Sequence, residues 1–69
     1  MTQKQLLLEY LEKNKTITTL ESVLNLMITD PQHYIMELRR EGYLISDRWI
    51  TNPVTKKHYK EYRLWNSEN

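Results

Sequence analysis

In the run "DPQHYIMELRREG", residues 30–42, four side chains suited to reading bases recur at helical spacing: Gln32, His33, Met36 and Arg40. Gln can bond adenine at two points, Arg can bond guanine at two points, and Met can touch a thymine methyl. A second group follows: Arg48, Asn52, Thr55, Lys56, Lys57, His58 and Lys60, a basic and polar set that suits phosphate oxygens. Other chemistries lack their parts. A single glycine rules out a Gly-rich phosphate loop, and no Ser/His/Asp or Cys/His set has plausible spacing for catalysis. So small a chain also offers little concave volume for a substrate, and an enzyme is not expected. Two histidines, at positions 33 and 58, and no cysteine fall short of the four ligands of structural zinc, so neither metal nor cofactor is expected.

The first group works only if a helix holds it outward. Asp30 suits an N-cap, Pro31 falls at the first helical position where its missing N–H costs nothing, and Gly42 suits the residue after the C-cap. With 100° per residue and Ile35 as zero, Pro31, Leu38 and Gly42 fall within about 60° and face inward. His33, Met36, Glu37 and Arg40 fall opposite, with Gln32 between the faces. Most such polar faces are merely solvated, and the carboxylate of Glu37 opposes phosphate. Asp30 is expected to cap rather than to meet a polyanion.

Two helices should precede this one. Thr2 and Gln5 form a capping box for a helix over about residues 3–13, with Leu7, Leu8 and Leu11 as its stripe and Tyr10 at the edge. Asn14-Lys15 should end it, Asn tolerating left-handed backbone. Thr16-Ile17-Thr18 is β-branched and suits a very short strand. Thr18 and Glu21 form a second box, starting a helix at Thr19 that ends near Leu26 and buries Leu20, Val23 and Leu24. Residues 27–30 are then a turn. After Gly42, "YLISDRWITN" and "HYKEYRLW" read as an antiparallel hairpin around "PVTKK". A turn centred between Val54 and Thr55 sets Ile45 opposite Leu64, Asp47 opposite Tyr62 and Trp49 opposite Lys60. Trp49, Tyr59 and Tyr62 should pack the thin sheet. Trp65 either covers the open core edge or serves a dimer contact. The expected class is α+β, mainly α: one domain over residues 1–65, three helices and then a two-stranded hairpin, with 66–69 a flexible polar tail.

Charge supports the second half as the binding half. Residues 1–30 set Lys4, Lys13 and Lys15 against Glu9, Glu12, Glu21 and Asp30, a net −1. Residues 31–65 set seven cations against Glu37, Glu41, Asp47 and Glu61, a net +3, and hold six of the seven aromatics. The triplet Leu6-Leu7-Leu8 is too short for a signal-peptide core or a membrane span, so a cytoplasmic protein is expected, nucleoid-associated when on DNA.

These residues resemble a known family. Leu7-Leu8-Leu11, then Ile17-Thr18-Glu21, then Ile35-Leu38-Arg39-Gly42, closing on Tyr62-Leu64, is similar to the small phage and prophage helix-turn-helix proteins of winged-helix type. The resemblance spans residues 2–65 and implies a DNA-binding regulator, either a transcriptional repressor or activator or an excisionase-like architectural protein. Three positions depart from the family pattern: Ser22 for Ala, Met27 for a turn Gly, and Pro31 for Leu. Ser22 should be harmless, whereas left-handed backbone at Met27 costs roughly 1 kcal/mol or more.

The leading expectation is sequence-specific binding of double-stranded DNA, the third helix in the major groove and the basic wing on the backbone. A single module buries only about 600–1,000 Å², so useful affinity calls for a homodimer or a repeated site. The alternative is an interaction module in which Met36, Tyr34 and Trp65 bind a host or phage protein without nucleic acid.

Overall fold

The first helix begins where Thr2 and Gln5 satisfy each other's backbone N–H groups, the Thr2 hydroxyl accepting from Gln5 N and Gln5 Oε1 from Thr2 N. A computed structural model describes residues 2–65 of the chain, so the expected tail at 66–69 lies outside the described residues. α1 spans Gln3–Asn14, β1 Thr16–Thr18, α2 Thr19–Leu26, α3 Pro31–Arg40, β2 Leu44–Thr51 and β3 His58–Trp65. Among the described residues no helix is long and apolar enough to cross a membrane.

The sheet corrects one expectation. In place of a two-stranded hairpin there are three antiparallel strands in the order β1-β3-β2. Thr16-Ile17-Thr18 pairs with Arg63, Tyr62 and Glu61, and Leu64 N donates to Lys15 O at 2.9 Å. The reason is burial: Ile17 is fully enclosed, and an extended backbone lets it turn inward while its neighbours bond to β3. The β2–β3 pairing is the one the turn position implies, with Ile45 opposite Leu64, Asp47 opposite Tyr62 and Trp49 opposite Lys60.

The core is Leu7, Leu11, Ile17, Ile28, Ile35, Leu38, Ile45 and Tyr62, with Leu8, Tyr10, Leu26, Tyr34, Tyr43 and Leu64 packed around it. α2 meets it differently from expectation. Leu20, Val23 and Leu24 do not face the core; they are exposed, and the inward side is Ser22 and the half-buried Leu26. The anchor of this region is Ile28, in the turn. Its N–H donates to Ser22 O at 3.0 Å, and the fully buried Ser22 hydroxyl donates back to Ile28 O at 2.7 Å.

Helix ends follow local chemistry, with two corrections. α1 stops as Lys15, not Asn14, takes positive φ (73°). Asp30 precedes α3 without any side-chain capping bond, and Pro31 at the helix start removes one of the N–H groups a cap would serve. Met27 does adopt the left-handed conformation, φ 56° and ψ 31°. α3 closes by a Schellman arrangement, Tyr43 N donating to Leu38 O and Gly42 N to Arg39 O, both 3.1 Å, with Gly42 at φ 106°.

Two substitutions at the α2–α3 turn should shift stability in opposite directions. Ser22→Ala leaves a buried carbonyl without its donor and should destabilise by about 1–2 kcal/mol. Met27→Gly should stabilise by about 0.5–1 kcal/mol, relief of left-handed strain exceeding glycine's extra freedom in the unfolded chain. Urea midpoints at constant slope check both; a neutral Ser22→Ala would show that its hydroxyl does not hold the turn.

Candidate nucleic-acid interface

Burial of Pro31, Ile35 and Leu38 fixes the rotation of α3 about its axis. The opposite side is thereby set outward: Gln32, His33 and Arg40 are exposed, and Met36 keeps 47 % of its surface open. Glu37 sits in this row but is not a bare charge. His33 Nε2 lies 3.1 Å and Lys4 Nζ 3.7 Å from its carboxylate. Lys4, from α1, also pairs with Glu41, and that hydrogen bond holds its pKa above the usual lysine value. Tyr34, grouped with the exposed residues in the protein-binding alternative, is half-buried and donates to Gln3 Oε1 at 2.7 Å.

The wing is a built loop. The Asn52 side-chain oxygen accepts from Val54 N (2.8 Å) and Thr55 N (3.2 Å), and Lys56 N donates to Asn52 O at 2.8 Å. Lys57 N points to Thr55 Oγ1 at 3.4 Å, and Lys56 takes left-handed backbone at φ 62°. Asn52 thus spends its side chain shaping the tip, which leaves Lys56 and Lys57 exposed. Among the described residues the six ion pairs give Arg40, Lys56 and Lys57 no acidic partner.

Wing and helix meet in an open cleft of about 360 Å³. Gln32 and Asp30 line one side; Trp49, His58 and Lys60 line the other. The His58 ring sits 3.0 Å from the Thr51 hydroxyl. Lys60 is held 3.5 Å from Asp47 and 5.3 Å from the centre of the Trp49 ring. Arg48 is not brought to this cleft. Residues alternate across a strand, so Ile45 and Trp49 share the helix side while Arg48 lies on the other face, 2.9 Å from Glu61. There Trp65 donates to Ser46 Oγ at 2.8 Å and lies beneath Arg63. Trp65 therefore covers no core edge.

Two cleft residues were not singled out from the sequence. Trp49, expected to pack the sheet, is 67 % exposed. Its signal was position: it pairs with Lys60 near the wing end of the hairpin. Asp30, freed from capping, lines the cleft as an exposed acceptor.

A helix-turn-helix whose second and third helices are joined by residues 27–30, followed by a hairpin ending in a basic loop, defines the winged helix-turn-helix class. The sequence family described as a winged helix-turn-helix domain matches residues 2–67, and the chain belongs to that family. Domains of this kind are in general DNA-binding modules. No curated protein and no solved structure gives a match.

Under the cleft, burial pushes the Tyr62 phenol above its ordinary value, with Asp47 and Asp30 adding and Arg39 opposing. The folded state thus favours neutral Tyr62. Its contribution is complete below about pH 10, the unfolded value, and is lost as pH rises through the higher folded value. Tyr62→Phe should flatten the loss of thermal stability above about pH 10 relative to the parent chain; parallel melting curves of the two proteins would disprove the assignment.

Proposed function

We propose that the chain binds double-stranded DNA sequence-specifically, with α3 in the major groove and the 52–60 wing on the adjacent backbone. The carrying observation is the pairing of two surfaces: the outward row of α3 with unpaired Arg40, and a rigidly built tip with unpaired Lys56 and Lys57. Gln32, Met36 and Arg40 read base edges, and His33 stands beside them, tied to Glu37. Thr55, Lys56, Lys57, His58 and Lys60 face phosphate and sugar. Asn52 contributes by building the loop, and Arg48, bound to Glu61 on the far face, has no contact from the α3 side. In this reading the protein is a cytoplasmic transcriptional regulator or an excisionase-like architectural protein of the phage or prophage kind its sequence resembles.

The second reading, a winged helix that binds a protein and no nucleic acid, is favoured by one observation, the exposed apolar side of α2. Duplex titrations separate the two. A site selected from random DNA should bind with an affinity that falls steeply between two salt concentrations. Lys56→Glu with Lys57→Glu should weaken all sequences and lower the salt slope by about 1 per lost phosphate contact. Arg40→Ala should instead cost about 1–3 kcal/mol on the selected site and relax preference at one base. Absence of binding at low salt, or indifference to the lysine changes, would sink the DNA reading with this wing.

A further inference from the structure

α2 is amphipathic in the reverse sense. Leu20, Val23, Leu24 and Met27 are 55, 37, 69 and 79 % exposed, and their spacing puts them along one side of the helix. No cation occurs from Thr16 to Gln32, and Glu21, the only acid of α2, is engaged as half of the capping box. The stripe is therefore apolar and uncharged. At its border Asn25 donates to the Tyr10 hydroxyl at 3.2 Å, a polar margin of the kind that rims an interface.

We infer that this face of α2 is where a second copy of the chain docks, two α2 helices meeting about a two-fold axis. Three arguments select a second copy. A neutral apolar stripe offers no charge for a charged partner to match, whereas it is complementary to itself, as a two-fold contact demands. Its area is a few hundred Å², the scale of functional patches on small proteins. That is below the about 800 Å² per partner of a standard interface, which fits a weak, reversible dimer. Finally, a single module of this kind covers little DNA, and α2 is joined to α3 only by residues 27–30, so copies that meet through α2 carry neighbouring reading helices. This last argument rests on the DNA reading; the first two do not.

Sedimentation equilibrium of the full chain, without DNA, tests it. The apparent mass should climb from monomer toward twice that value across the micromolar-to-millimolar range. Leu24→Glu, which sets like charges against each other across the axis, should hold the chain at monomer mass throughout, with helical circular dichroism unchanged because Leu24 is exposed. Should Leu24→Glu disturb folding, Leu20→Ala with Leu24→Ala serves in its place, with the same monomeric result expected. A parent chain that stays monomeric at every concentration overturns the inference, and so does self-association undiminished in the folded variant. DNA is absent from every arm, so failure of the DNA reading would leave this result standing, and the reverse.

Discussion

The seating of Ile28 is the constraint on which the arrangement of helices depends. Ile28 lies in a turn of four residues, yet it is fully buried, and both its backbone groups are bound to Ser22. A buried turn would ordinarily leave polar groups unpaired; here the Ser22 hydroxyl and carbonyl satisfy them. With Ile28 anchored, α2 is held to the core by its turn more than by its own side. That is why the helix can leave Leu20, Leu24 and Met27 outside and still keep its place. α3 begins three residues after that anchor, and burial of Pro31, Ile35 and Leu38 completes its attachment.

The sheet solves a second problem of small size. A chain of 69 residues buries only roughly 60 % of its unfolded surface, so a two-stranded hairpin alone would be a poor wall for the core. β1 makes the wall three strands wide at the cost of three residues. It also ties the end of α1 to β3, since Lys15, left-handed, turns its carbonyl toward Leu64 N. The wing beyond residue 51 is relieved of packing duty and is shaped chiefly by Asn52.

Much of this was legible in residue types. Capping boxes are local, so Thr2/Gln5 and Thr18/Glu21 marked two helix starts correctly, and Gly42 marked the end of α3 because its φ of 106° excludes most side chains. The hairpin register followed from the turn position. What failed was long-range. Periodicity placed Leu20, Val23 and Leu24 on one side of α2 but could not say which side met the core; Ser22, small and able to bond Ile28, decided that. Thr16-Ile17-Thr18 was recognisable as extended, but its partner strand lies more than forty residues on. Asp30 had cap chemistry without cap geometry. At the candidate interface the α3 row was readable from wheel angles, whereas Arg48 and Trp49 were separated only by the strand's alternation relative to the helices.

The near-neutral total charge is a poor guide to the field around α3. Of the acids near the reading row, Glu37 and Glu41 share Lys4 from α1, Glu37 also lies against His33, and Asp30 has no cation partner among the described residues. On the sheet, Asp47 is shared by Arg39 and Lys60, and Glu61 is taken by Arg48. Opposite charges at such distances cancel beyond about a Debye length of 8–10 Å. Among the described side chains around the cleft, Arg40 near the end of the helix and Lys56 and Lys57 at the wing tip have no acidic partner, and Asp30 beside Gln32 has no cation. Two positive points flank a row of Gln32, His33 and Met36 that carries little net charge. In the DNA reading proposed above, such a layout would set a duplex across α3 and leave discrimination to the base edges. With most of the acids near α3 and on the sheet engaged by cations of the fold, a net charge of +1 is compatible with a polyanionic partner.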